Sequence, residues 1–412
     1  MNIDRGFFVL AVLCGLLAGC ATSPAPDGIA SNQPVTSHPA PSPAPSPAPS
    51  PAPAPGPVVV FPPAPVDKTV EGIDPTQPRG KTVTLWYGTN RKPTQPFLMS
   101  NPFGSERDTK LNYGVAEVFI PKSHESGSLG SYSFLKRKKD EPIRFSFARP
   151  LDDASYWSSL KTTLKKINPN HRVVLVFIHG YNNSFIDAAR RTAQIWADLN
   201  LKGIPAFYSW PSRAKTLAYT ADEATVDYSE KYLAEFLQRL RQEVGPSQPI
   251  HLIAHSMGNR ALLRVAIQLQ DQLRFGQIIL AAPDVDADFF HDMAKVYAKI
   301  SERTTLYVSK TDKPVNFSKK VHDRSRVGAP PAFAWVDGID TVEVVSKTGL
   351  LEMGHSYFAE HAELLGEIGH LITHNPSSAY THVGTRLDRR SDCAKEQGGA
   401  TQESCWRIVV KK

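Results

Sequence analysis

Between residues 171 and 309 the chain alternates short, continuous apolar runs with segments of helical spacing, and this alternation restricts the fold more than any other feature. HRVVLVFI (171–178) is rich in β-branched residues with no polar alternation, as a strand buried on both faces requires. Phe185, Ala189, Ala193, Trp196 and Leu199 then recur on one helix face. Further strands are expected over 204–209, 249–254, 277–281 and 304–309. Helices are expected between them, one marked by Tyr232, Leu233, Phe236, Leu237 and Leu240, the others over 261–269 and 289–300. Strands separated by helices call for a doubly wound, mainly parallel sheet of the α/β class. Residues 81–150 read differently. Short strands over 82–87, 114–120, 131–136 and 143–147, with turns rich in Asn, Pro, Gly and Ser, predict an antiparallel N-terminal part.

Three segments of this alternation carry chemistry. Ala254-His255-Ser256-Met257-Gly258 lies between a buried strand and a helix. A sharp strand-to-helix turn that exposes a nucleophilic Ser needs small residues two places before and after it, and Ala254 and Gly258 fill those places. Ser256 is the candidate nucleophile, and the N–H of Met257 at the helix start is a candidate oxyanion donor. FIHGYNN (177–183) follows the strand two units upstream, where the second donor is expected. Gly180 lets the backbone turn so that the Tyr181 N–H serves, with Asn182 as the alternative; His179 reads as a structural turn residue. LEMGHSYF (351–358) places His355 in a loop before a helix, the position of a general base. His255 is expected to pack behind the site. For the acid, Asp312 and Asp284 both follow strands and both fit the order Ser, acid, His. Asp312, in a turn–Pro–apolar context, is preferred, and Asp284 is the alternative. Tyr208, Trp210 and Pro211 fit either an acyl pocket or core.

With these segments in place, the chain resembles a bacterial α/β-hydrolase family long catalogued as a domain of unknown function and described as esterase-like. The resemblance is carried by YGTNR (87–91), FIHGYNNSF (177–185), YSWPS (208–212), AHSMGNRALL (254–263), LAAPDVDADFF (280–290) and GHSYF (354–358). It implies Ser256, Asp312 and His355 as a triad and no cofactor; the three segments themselves lead us to expect acyl transfer through Ser256 from a small-molecule or lipid ester or thioester. An acyltransferase of the cell envelope, and a non-catalytic binding protein on the same fold, are the rival readings. No HExxH motif supports a metal hydrolase, and no metal site is expected.

The ends of the chain read as an address and a tether. Residues 1–20 combine Arg5, an apolar run from Phe7 to Leu17 and Leu17-Ala18-Gly19-Cys20. This resembles a lipoprotein signal in which Cys20 is lipidated, giving a membrane anchor. By resemblance to lipoprotein sorting rules, Ala21 favours the outer membrane, facing the periplasm. Residues 21–69 are dominated by Pro, Ala and Ser, which cannot bury a core and favour a semi-rigid polyproline spacer; binding of an envelope partner is a second use for such a linker. A catalytic domain is expected over 70–375. An extension over 376–412 carries Cys393 and Cys405, expected to pair in an oxidising compartment. The formal charge of +7 is spread over short clusters without zinc-finger spacing or interleaved aromatics. It therefore reads as a solvated surface and not as a nucleic-acid interface.

Overall fold

The structure, a computed structural model, describes residues 80–130, 141–329, 336, 338–346, 355–376, 387–389 and 405–410. The signal and Cys20, the proline-rich linker, the strand expected over 131–136 and Cys393 lie outside these residues.

Two long strands, β1 (Gly80–Leu98) and β2 (Asn101–Pro121), form a hairpin, and β3 (Arg144–Leu151) pairs antiparallel with β2. Helix α1 (Asp153–Lys166) then leads into alternating strands and helices: β4 (Val173–Ile178), α2 (Phe185–Asp198), β5 (Gly203–Ser209), α3 (Tyr219–Tyr228), α4 (Glu230–Val244), β6 (Ile250–His255) and α5 (Gly258–Gln268). The series continues with β7 (Phe275–Ala281), α6 (Ala287–Met293), α7 (Val296–Ile300), β8 (Ser301–Val308), α8 (Lys313–His322), β9 (Ile339–Ser346) and α9 (Ala362–His374). It ends with β10 (Leu387–Arg389) and β11 (Cys405–Val410). The eleven strands among the described residues join one sheet in the order β10-β11-β9-β8-β7-β6-β4-β5-β1-β2-β3. From β11 through β1 every neighbouring pair is parallel. This is the doubly wound, mainly parallel sheet anticipated from the alternation, with its antiparallel strands at the N-terminal edge.

Strand β4 explains why the central runs are apolar without alternation. Val174, Val176 and Ile178 enter the core on one side of the sheet, and Leu175 and Phe177 enter the core on the other. Each such side chain contributes roughly 1.5–3 kcal/mol by leaving water, so a charge anywhere in the run would forfeit more than a surface position could recover. Helices α4 and α5 cover the first face, and α2 and α9 the second. The helix expected over 289–300 is two helices. The Tyr297 N–H bonds the Ala294 carbonyl in a tighter turn, while the apolar spacing runs on unbroken across the junction. Residues 376–412, expected as an extension, supply β11, which pairs in parallel with β9. Cys405 at its start is disulfide-bonded, and its partner lies outside the described residues. Among the described residues no helix is long and apolar enough to cross a membrane.

Three buried histidines make the fold sensitive to acid. Burial pushes His179 and His251 down to about 3 from the usual 6.5, and His255 well below it. All three are neutral when folded and become charged on unfolding below pH 6.5. Their contribution is therefore complete above that pH and lost as the pH falls toward the folded values. Between about pH 6 and 4.5, unfolding should take up two to three extra protons, each steepening the loss by about 1.4 kcal/mol per pH unit. Denaturant midpoints measured across that window check this, and a flat profile would contradict it.

Candidate active site

Ser256 stands at the junction of β6 and α5 with φ of +53°. A non-glycine residue held in this left-handed region costs of order 1–3 kcal/mol and persists only where its surroundings fix it. Here the Ser256 N–H donates to the Ala281 carbonyl at 3.0 Å, and the Ser256 carbonyl accepts from the Asp284 N–H at 3.2 Å. The Asn259 amide donates to the carbonyls of Ala254, Ser256 and Ala281, stitching the turn to the ends of β6 and β7. The small residues are required by close approach. A Cβ on Gly180 would lie 2.6 Å from the Ser256 Cβ, and one on Gly258 would lie 2.6 Å from the His179 carbonyl oxygen. At the start of α5 no side chain caps the helix, and the Asn259 and Arg260 N–H groups bond back to the carbonyls of Ser256 and Met257 at 3.1 Å each.

His355 and Asp312 are brought together across a gap of more than forty residues. The His355 Nδ1–H lies 3.1 and 3.0 Å from the two Asp312 carboxylate oxygens. Asp312 is completely buried and also caps α8, accepting from the Val315 N–H at 3.1 Å. Its rotamer is thus fixed from the helix side as well as by the histidine. With Nδ1 committed to the carboxylate, Nε2 is the basic nitrogen of the ring; it is buried and has no hydrogen-bond partner in the structure. His355 packs against the residue that precedes Ser256. The His255 Nε2–H donates to the His355 carbonyl at 3.0 Å, and the two rings lie 4.5 Å apart.

The loop after β4 is held by two buried charges. Arg91 is almost wholly enclosed and donates to Ser209 Oγ, to the carbonyls of Gly104 and Ser212, and to the Asn183 carbonyl. Burial lowers Arg91 to about 9, against the opposing pull of Asp222 and Asp187. Asp222, on α3, accepts from Ser212 Oγ, from the Arg213 N–H and from the Asn182 N–H at 2.5, 2.7 and 3.2 Å. The segment Gly180–Asn183, which carries Tyr181, is therefore fixed from both ends, and Asn182 takes a positive φ of 59° within it. The Asn182 N–H is spent on Asp222, which leaves the Tyr181 N–H as the remaining candidate oxyanion donor on this loop.

Other residues take structural places. His179 donates from Nδ1 to the Gly180 carbonyl, accepts from Ser209, and stacks on Trp210 at 4.9 Å. Trp210 and Tyr208 are core: the indole N–H bonds the His179 carbonyl and the phenol bonds Asn90 and the Ser229 carbonyl. Asp284, the alternative acid, is engaged elsewhere. It accepts from Tyr219 and Ser318 at 2.5 Å each and lies 3.5 Å from Arg326 Nε. Arg91, Asp222 and Asn259 are not singled out as site residues by the sequence, although Arg91 and Asn259 lie in segments that carry the resemblance; Asp222 lies outside them. The available signal was a buried-strand pattern ending in the polar run Thr89-Asn90-Arg91. Among the described residues no group of three or more His, Cys, Asp or Glu is arranged to hold a metal ion.

An acid–histidine pair packed against the residue that precedes a serine of positive φ, on a doubly wound sheet, is the arrangement of the α/β-hydrolase class. The chain belongs to the family of alpha/beta hydrolases of unknown function (DUF900), whose profile matches residues 153–374. No curated protein matches it. Among solved structures it is similar to the ydeN gene product of B. subtilis, at 17% identity over 48% of this chain and 96% of that one, with a TM-score of 0.29. Esterase B from Lactobacillus rhamnosis gives 11% identity, 51% and 79% coverage and a TM-score of 0.31. YbtT, a type II thioesterase of a yersiniabactin pathway, gives 14%, 51% and 96%, with a TM-score of 0.31.

Proposed function

We propose that the protein is a serine hydrolase that cleaves an ester or thioester through an acyl–Ser256 intermediate, anchored in a bacterial envelope through Cys20. The observation that carries this reading is the Asp312–His355 pair, seated against His255 and so against the elbow that bears Ser256. In this mechanism His355 Nε2 takes the proton from Ser256 Oγ as the hydroxyl attacks the acyl carbonyl. Asp312 holds the ring in the Nδ1–H form and stabilises the imidazolium that results. The N–H groups of Met257 and Tyr181 bind the oxyanion, the second on a loop that cannot relax because Arg91 and Asp222 hold it. His355 then returns the proton to the leaving alkoxide or thiolate, and water, deprotonated by the same nitrogen, releases the acid and restores Ser256.

The anchor is supported by Leu17-Ala18-Gly19-Cys20 after an apolar run, followed by a proline-rich stretch that suits a spacer. The test is turnover of short p-nitrophenyl esters and acyl thioesters by the full chain, with pre-steady-state sampling. A burst of nitrophenol close to one equivalent per chain, followed by slower turnover, is expected for an acyl-enzyme. A folded chain that hydrolyses neither substrate class contradicts the proposal.

A further inference from the structure

Among the described residues six large apolar side chains are exposed, and three of them gather beside the candidate site. Leu217 is fully exposed, Phe317 is 55% exposed and Val321 is 44% exposed. Their position follows from their neighbours. The Tyr181 hydroxyl, on the loop proposed to bind the oxyanion, donates to the Thr216 carbonyl, so Leu217 stands next to that loop. The Tyr181 ring meets Tyr219 at 5.3 Å, and Tyr219 meets Phe317 at 6.3 Å. Phe317 and Val321 are one turn apart on α8, the helix whose cap is Asp312. Tyr219 and Ser318 share Asp284, and His322 reaches Glu223 on α3, so the Leu217 segment and α8 are tied into one rim.

The charges around this apolar group are mainly basic. Arg213 and Lys215 precede Leu217, and Lys320 and Arg324 flank Val321; Asp323 is the acidic residue among them, and all five are exposed. Apolar side chains set among cations fit a surface that presents anions over hydrocarbon, the combination offered by an anionic bilayer. A protein partner of ordinary composition would leave those cations unmatched.

We infer that this rim docks on the surface of an anionic phospholipid bilayer, with Leu217, Phe317 and Val321 entering the headgroup–acyl boundary and the four cations meeting lipid phosphates. The contact rests on the surface chemistry alone. Its consequence, that the substrate is an amphiphilic ester drawn from the bilayer, rests on the serine-hydrolase reading. Docking there sets the oxyanion loop and the acid-bearing helix at the lipid boundary, where an acyl chain can enter without crossing water.

The test places a reporter in the rim of the full chain, so that any lipid anchor is common to all samples. Phe317→Trp and Leu217→Trp are compared with wild type on phosphatidylglycerol–phosphatidylcholine vesicles with brominated acyl chains. Leu98→Trp, at an exposed site on the β1–β2 hairpin, is the control. The fluorescence added at 317 and 217 is expected to fall by about half or more and that added at 98 to stay unchanged, since only an indole within the acyl boundary meets bromine. Adding Lys215→Glu and Lys320→Glu to Phe317→Trp should cut the quenching at least about twofold on these vesicles and have little effect on phosphatidylcholine alone. Equal quenching at 98, or none at 217 and 317, overturns the inference. So does a blue shift at 317 that grows with protein concentration without vesicles, which would assign the rim to a second copy of the chain. Labelling of the same samples by a fluorophosphonate separates the two readings. Labelling without quenching removes the docking alone, and quenching without labelling removes the serine chemistry alone.

Discussion

Ser256→Ala is expected to lower ester turnover on the order of a million-fold, to the level left by binding and the oxyanion donors. The fold should survive with little change. Ser256 adopts a positive φ, which Ala tolerates no worse than Ser, and the turn is held by backbone bonds to Ala281 and Asp284 and by the Asn259 amide, none of which uses the hydroxyl. Initial rates on a p-nitrophenyl ester, together with a denaturation midpoint for the same sample, check both halves. A variant that keeps more than a few per cent of the wild-type rate would contradict Ser256 as nucleophile.

The second large effect separates the two acids. Asp312→Asn is expected to lower turnover by about ten-thousand-fold, because an amide can offer an N–H to His355 Nδ1 and so favour the wrong tautomer of the ring. Asp284→Asn, at the other strand end, leaves the His355 pairing intact. Its cost should fall on stability, through the bonds from Tyr219 and Ser318 and the nearby Arg326, with turnover at low temperature within about tenfold of wild type. Rates and unfolding midpoints for the two variants side by side decide the matter. A reversed order, with Asp284→Asn the inactive one, would move the acid to the end of β7.

The same contrast shows what could be read from the residues and what could not. The parallel strands were legible because both faces of each are buried, so β4 is an unbroken apolar run and β6 and β7 are mostly apolar, interrupted by His251 and His255 in one and by Gly276 and Gln277 in the other. The elbow was legible because its geometry excludes side chains: Gly180 and Gly258 stand where a Cβ would meet the serine or the backbone at the end of β4. Helix α3 was not legible. Its buried face includes Asp222 and Thr225, so apolar spacing had nothing to report, yet Asp222 is the anchor of the loop that carries Tyr181. Arg91 escaped for the same reason. Its guanidinium makes four hydrogen bonds, to partners on β2, on β5, in the loop after β5 and in the loop before α2, a gathering that only the folded sheet creates. Strand β11 was missed because it lies beyond a Gly- and charge-rich stretch and pairs with β9, sixty residues earlier, by register alone.

The central claim is that Ser256 carries the acyl group, and covalent trapping tests it most directly. The full chain would be reacted with a fluorophosphonate, digested, and the modified peptide identified by mass spectrometry. The account predicts one adduct, on Ser256, formed much more slowly in His355→Ala and Asp312→Asn. An adduct on a different residue, or a folded chain left unmodified, would contradict it.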